Sequence, residues 1–256
     1  MNAGPAGGGG RRAVLVTGAS RGIGAATARA FAALGDRVAL HCSSAPDLAE
    51  AVRAGLPGDG HLVVRADLAD AAAVAAMVEE ATSGLGGLDV VVNNAGVYLP
   101  HPVLETTYEQ WQAAWAATLG VNLVGPANVV FCAARHLGPG GRIVNVGSRG
   151  AWRGEPDHPA YGASKAALVA LGQSMAKALG PRGIAVTTVA PGWVTTDMAA
   201  EWLAGPEGAA RLAEGPLGRA ASPEEVAAAI VFLASPQAEY ATGAVLDLNG
   251  GSYLRM

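Results

Sequence analysis

Seven short apolar runs, at residues 13–17, 38–42, 61–65, 90–93, 142–146, 185–189 and 245–248, recur along the chain with Ala-rich stretches between them. Runs this continuous suit parallel strands covered on both faces, because a half-exposed strand would alternate apolar with polar. The intervening stretches read as helices over 25–34, 47–54, 70–82, 105–119 running on toward His136, 160–179 and 223–233. Gly35, Gly180 and Gly183 sit where helices should stop, and Ser222-Pro223-Glu224-Glu225 is a helix start. The alternation predicts one doubly wound α/β sheet, with no linker to divide it. A chain of 256 residues, 51% hydrophobic and 15% charged, is long and apolar enough to bury both faces of such a sheet.

Other classes are disfavoured by composition. The Gly-rich residues 1–10 read as a flexible tail before a domain at 11–256, and they lack the apolar middle of a signal peptide. No apolar stretch approaches the roughly 20 residues of a membrane span, so a cytoplasmic protein without a membrane partner is expected. A net charge of −4 with no basic run argues against a nucleic-acid partner. Cys42 and Cys132 read as small hydrophobes in a reduced compartment. His41, His61, His101, His136 and His158 have no metal-ligand spacing, so no metal is expected. Trp111 and Trp115, one helical turn apart, read as a core or subunit-interface stripe.

Chemistry enters at residues 17–24, Thr-Gly-Ala-Ser-Arg-Gly-Ile-Gly, which join the first strand to the first helix. Gly18, Gly22 and Gly24 permit a tight turn that lets backbone N–H groups of Ser20 and Ile23 approach a pyrophosphate, whose charge the helix N-terminus favours. The spacing G-x-x-x-G-x-G differs from the G-x-G-x-x-G of the usual dinucleotide fingerprint. Further on, Ser148 ends a strand, and Tyr161 and Lys165 lie one turn apart at a helix start. Strand ends and helix starts meet at the carboxyl edge of a parallel sheet, where ligands bind. A free tyrosine has a pKa of about 10, and a nearby ammonium would lower it. Tyr161 could then exchange a proton with a carbonyl or alcohol oxygen that Ser148 hydrogen-bonds.

These residues together with "NNAG" at 93–96, Asn122, "PGWVTTDM" at 191–198 and "DLNGG" at 247–251 resemble the short-chain dehydrogenase/reductase family, in particular its 3-oxoacyl-[acyl-carrier-protein] reductase-like members. The likeness spans nearly the whole chain after the tail. It implies a single-domain Rossmann fold, a seven-stranded parallel sheet in the order 3-2-1-4-5-6-7, and hydride transfer between a nicotinamide and a carbonyl/alcohol carbon. It implies that Tyr161 is the acid/base, that Lys165 lowers its pKa and holds the nicotinamide ribose, and that Ser148 orients the substrate. Asn122 would anchor a water linking Lys165 to solvent. Asn94, Ala95 and Gly96 would line the cofactor and Asn93 brace the sheet. Asp67 and Leu68 would meet the adenine, while Pro191, Gly192, Val194 and Thr196 would border the nicotinamide. Gly147 departs from the small polar residue often found there. A lid is implied around 198–218, with Met198, Trp202 and Leu203 facing substrate or core. A homotetramer or homodimer is implied too, through Trp111, Trp115 and Tyr253.

In this family an acidic residue after the second strand selects NAD; here His41-Cys42-Ser43-Ser44 stands there, with no carboxylate before Asp47. Ser43 and Ser44 can donate to phosphate oxygens and Arg21 can pair with their charge, which favours NADPH (NADP+) over NADH. His41, Ser43 or Ser44 would contact the 2′-phosphate. The expected reaction is NADPH-dependent reduction of a 3-oxoacyl thioester or related ketone, small or carrier-linked. The alternatives are an NAD-dependent dehydrogenase of a secondary alcohol or sugar and a non-catalytic dinucleotide-binding regulator. Arg149, Trp152, Arg153, Glu155 and His158, between Ser148 and Tyr161, are read as exposed unless one of them meets the substrate.

Overall fold

The structure, a computed structural model, describes residues 11–255; the expected tail at 1–10 lies outside them. Seven parallel strands form one sheet: β1 Ala13–Val16, β2 Arg37–Cys42, β3 Leu62–Arg65, β4 Leu88–Asn93, β5 Leu137–Val146, β6 Ala185–Pro191 and β7 Val245–Leu248. Their order is β3-β2-β1-β4-β5-β6-β7, as the resemblance implies. The helices are α1 Gly22–Ala33, α2 Pro46–Ala54, α3 Ala71–Leu85, α4 Tyr108–Leu119, α5 Gly125–Ala133, α6 Gly150–Arg153, α7 Pro159–Leu179, α8 Asp197–Ala204, α9 Gly208–Ala213 and α10 Pro223–Leu233.

Each strand feeds two cores, because successive side chains point to opposite faces. Val14, Val16, Leu40, Val92 and Val144 pack with Phe31 and Ile230 on one face. Leu15, Val91, Ile143 and Val186 pack with Met77, Leu85 and Val129 on the other. Burial on both faces is why the strands read as unbroken apolar runs. Across β4 and β5 the buried Asn93 donates through Nδ2 to Asn145 Oδ1 at 2.9 Å, the brace expected of it. The start of α10 is a capping box, in which the Ser222 hydroxyl accepts from Glu225 N and the Glu225 carboxylate accepts from Ser222 N.

Two expectations need correction. The expected helix at 105–119 begins only at Tyr108, capped by Thr107, and continues through a π-turn at Gly120–Val124 into α5. That rod, Tyr108–Ala133, is 26 residues long and apolar enough to cross a membrane, against the expectation that no such stretch exists. Part of its apolar surface is covered within the fold, since α4 packs against α7 and α5 against α3 and β4, while Val124 and Phe131 remain exposed. The segment at 198–218, where the resemblance implies a lid, carries α8 and α9, which like α6 are too short to show a period in sequence.

Candidate active site

The strand order reverses between β1 and β4, and the loops leaving their carboxyl ends part around a cleft of about 730 Å³. Thr17 and Asn94 stitch the two loops together. The Thr17 Oγ1 accepts from Asn94 N at 3.0 Å and Ala95 N at 3.1 Å. In return, Asn94 Nδ2 donates to the carbonyls of Thr17 at 2.9 Å and Gly18 at 3.1 Å. Two glycines make that closeness possible. A Cβ on Gly24 would lie 2.1 Å from Gly18 O, and one on Gly18, which has φ +65°, would lie 2.8 Å from Ala95 Cα.

His41 proves to be a structural member of this loop. Its Nδ1 accepts from Gly18 N at 3.1 Å and its Nε2–H donates to Ala66 O at 3.1 Å. The ring is buried, and burial pushes its pKa down, which keeps it the neutral tautomer these bonds require. With both nitrogens engaged, His41 drops out as a phosphate contact and leaves Ser43 and Ser44. Arg65, which sequence reading missed, donates from Nε to Ser43 O at 2.9 Å and sets a second cation beside them. Arg21, at the N-cap of α1, is exposed and 3.9 Å from Asp197. Asp67 borders the cleft while its Oδ1 caps Ala69 N at 2.9 Å, and Leu68 is buried beneath it.

The far end of the cleft is set by α7. Pro159 opens that helix, and His101 anchors it, accepting at Nε2 from Ala160 N at 3.1 Å and donating from Nδ1 to Leu99 O at 2.7 Å. Tyr161 and Lys165 then follow one turn apart. Lys165 is buried; its Nζ donates to Val146 O at 2.8 Å and sits 5.6 Å from the Tyr161 ring centre. Ser148 lies within hydrogen-bonding reach of the Tyr161 phenol, and its Oγ accepts from Gly150 N at 3.0 Å. Asn122, in the π-turn, grips Val97, with Oδ1 accepting from Val97 N at 2.8 Å and Nδ2 donating to Val97 O at 3.0 Å. Gly96 lies between Asn122 and Lys165. Pro191, Gly192, Val194 and Thr196 complete this wall, with Gly22 against Thr196. Gly147 fits because a Cβ there would lie 3.0 Å from Thr188 Cγ2 and 3.2 Å from Val189 O.

Burial dominates the electrostatics. It pushes the Tyr161 phenol up to about 12, although the Ser148 hydrogen bond pulls the other way, and the charge of Glu155 adds to the rise. It pushes Lys165 down to about 8. The expected lowering of Tyr161 by Lys165 is not found, because burial decides both groups: the phenol is protonated at neutral pH while the amine remains mostly charged.

Between Ser148 and Tyr161 the residues expected to be exposed are largely enclosed. Arg149 and His158 are buried, and the Glu155 side chain is 12% exposed. Glu214, at the end of α9, pairs with Arg149 at 2.7 Å and Arg153 at 2.8 Å, tying the lid to the segment after β5. Tyr98 stacks on His158 at 3.6 Å and meets Tyr161 edge-on at 4.7 Å and Trp202 at 6.1 Å. Met198 is half-exposed at the lid's edge. Away from the cleft, Trp111 and Trp115 are half-buried, with ring centres 5.8 Å apart.

Comparison with known proteins identifies what this arrangement belongs to. The family described as enoyl-(acyl carrier protein) reductase matches residues 18–253. A short-chain dehydrogenase from Burkholderia cenocepacia, solved in complex with NADP, superposes with a TM-score of 0.86 at 37% identity, over 94% of this chain and 97% of that one. The chain belongs to the short-chain dehydrogenase/reductase family. The L-rhamnose 1-dehydrogenase (NAD(P)(+)) of Azotobacter vinelandii is 40% identical over 256 residues, 96% of this chain and 98% of that protein. A 3-oxoacyl-[acyl-carrier-protein] reductase of Synechocystis is 37% identical over 246 residues, 93% of this chain and 95% of its own length. This short-chain dehydrogenase/reductase is accordingly an NAD(P)-dependent oxidoreductase acting on CH–OH groups or the carbonyls derived from them.

A dinucleotide fits the residues present. The glycine cradle is a concavity that side chains would fill, and it runs between the hydroxyls of Ser43 and Ser44 and the Tyr161–Lys165 end. Replacing Gly24 by Ala should displace Gly18 and Asn94 and weaken NADPH binding about tenfold or more. Fluorescence titration of the purified variant checks this, and wild-type affinity would contradict the cradle.

Proposed function

We propose that this chain is an NADPH-preferring carbonyl reductase that converts a ketone into a secondary alcohol, with Tyr161 as the general acid. The observation that carries the chemistry is the grouping of Ser148, the Tyr161 phenol and the buried Lys165 ammonium on one wall of the cleft, where a protonated phenol has a proton to give a carbonyl oxygen. When bound, the nicotinamide supplies the hydride. Ser148 and the Tyr161 hydroxyl converge on one place, which a carbonyl oxygen would occupy, and Tyr161 donates its proton there as charge develops. Lys165, fixed by Val146 O, stabilises the phenolate left behind through its positive charge. Asn122 acts by holding the Val97 backbone, and with it the Gly96 wall beside Lys165.

Support for NADPH comes from the other end. Arg65 and Arg21 are the cations near the Ser43–Ser44 hydroxyls, and no carboxylate follows β2 before Asp47 to repel a 2′-phosphate. The relative from Burkholderia, solved with NADP, agrees with this reading. Among ketones, the Synechocystis relative carries a 3-oxoacyl group in its name, whereas the Azotobacter relative carries a sugar. The choice between them lies with the chamber walls, since Ser148, Tyr161 and Lys165 would serve either. Val124 and Phe131, exposed apolar side chains of the long helical rod, support a homodimer or homotetramer.

Tyr161→Phe should reduce turnover of any ketone to background while NADPH affinity stays within a few-fold of wild type. Substantial activity in that variant, read by NADPH absorbance, would overturn the mechanism. Arg21→Ala should raise KM for NADPH about tenfold more than KM for NADH, the loss of one charge-assisted phosphate contact. Equal effects on both coenzymes would sink the NADPH assignment.

A further inference from the structure

We propose that the reaction chamber is built for a small ketone or alcohol bearing an additional hydroxyl near the reacting carbon, and that the Glu155 carboxylate accepts a hydrogen bond from that hydroxyl. The assignment rests on the ketone chemistry of Tyr161 and names its substrate class. Glu155 lines the same cleft as Ser148 and Tyr161. It is wedged against Gly150, where a Cβ would lie 2.4 Å from its Oε1, and against Gly162, where a Cβ would lie 3.6 Å from its Cγ. Its carboxylate therefore packs closely over these two glycines. Only one of its oxygens has a donor, the Tyr98 hydroxyl at 3.2 Å to Oε2. The nearest cation to Oε1 is Arg153 Nε at 3.7 Å, too far for a hydrogen bond.

Glu155 Oε1 has no hydrogen-bond donor from the described residues and is not sealed from the cleft, so a substrate hydroxyl can supply one. Burial raises the pKa of Glu155, as it should where that donor is lacking. The walls match such a substrate. Tyr98, locked flat on His158, and Trp202 present aromatic edges and faces suited to the C–H side of a short polyhydroxylated chain. The two arginines of this wall are balanced by two carboxylates, since Glu214 pairs with Arg149 and Arg153 and Glu155 faces Arg153, while Arg149 also lies 5.6 Å over the Trp193 ring. The carboxylate would in addition repel an anionic group.

The test compares acetone, hydroxyacetone, dihydroxyacetone and an acetoacetyl thioester as substrates of the full-length protein with NADPH. Hydroxyacetone should exceed acetone in kcat/KM by roughly 10- to 100-fold, the worth of a hydrogen bond to a charged acceptor. Glu155→Met, close in volume but without an acceptor, should bring that ratio to within about threefold of unity; Glu155→Gln, keeping one acceptor oxygen, should give an intermediate ratio. NADPH titration of each variant confirms that it is folded, and the ratio is read whatever the absolute rates. A wild-type ratio near one, a ratio unmoved by Glu155→Met, or a preference for the thioester would overturn the assignment while leaving ketone reduction intact. Bound NADPH with no turnover of any of the four would instead overturn the ketone reading itself.

Discussion

The cleft exists because Thr17 and Asn94 hold two divergent loops together at the one place where the strand order reverses. Strands β1 and β4 are neighbours, yet the chain leaves them toward opposite faces of the sheet. Four hydrogen bonds between the Thr17–Gly18 and Asn94–Ala95 segments keep the gap at a fixed width. Gly24 lies on the Gly18 carbonyl with no space for a side chain, so α1 starts directly under the phosphate-sized hollow. Two histidines work the same way. His41 holds Gly18 and His101 holds Ala160, each accepting from a loop N–H and donating to a carbonyl. One fixes the phosphate end and the other fixes the helix that carries Tyr161.

Within that frame burial sets the chemistry. An ammonium beside a phenol would lower the phenol's pKa in water, but both groups here are withdrawn from water, and withdrawal favours the neutral form of each. The phenol rises and the amine falls, which leaves Tyr161 a proton donor and Lys165 a cation near the edge of its range. Glu155, nearby and negative, pushes Tyr161 further in the same direction. A substrate hydroxyl bonded to Glu155 would thus touch both binding and the acidity of the donor.

Much of this was legible in the residues. The strands were visible because burial on both faces leaves them no polar positions, and residues 17–24, Ser148, Tyr161 and Lys165 carry signatures in fixed spacing. Other features have no local signature. The π-turn around Asn122 differs from an α-helix by one residue of hydrogen-bond register, and no residue type demands it. His41 read as a phosphate contact because its two backbone partners, Gly18 and Ala66, are distant in sequence. Arg149 and Arg153 read as surface charges because the residue that pairs with both, Glu214, lies about sixty positions further on, at the end of α9. Pairings across long separations are where a sequence alone is silent.

The central claim is that a half-buried, protonated Tyr161 gives its proton beside a buried, charged Lys165, and the pH dependence of the two reaction directions tests it most directly. Reduction needs the phenol protonated and Lys165 charged, so kcat/KM should be level through neutral pH and fall as Lys165 loses its proton near about 8. Oxidation of the product alcohol needs the phenolate with Lys165 still charged, so its rate should climb with pH up to about 8 and level off above it. Reduction that strengthens with rising pH, or oxidation indifferent to it, would contradict the account.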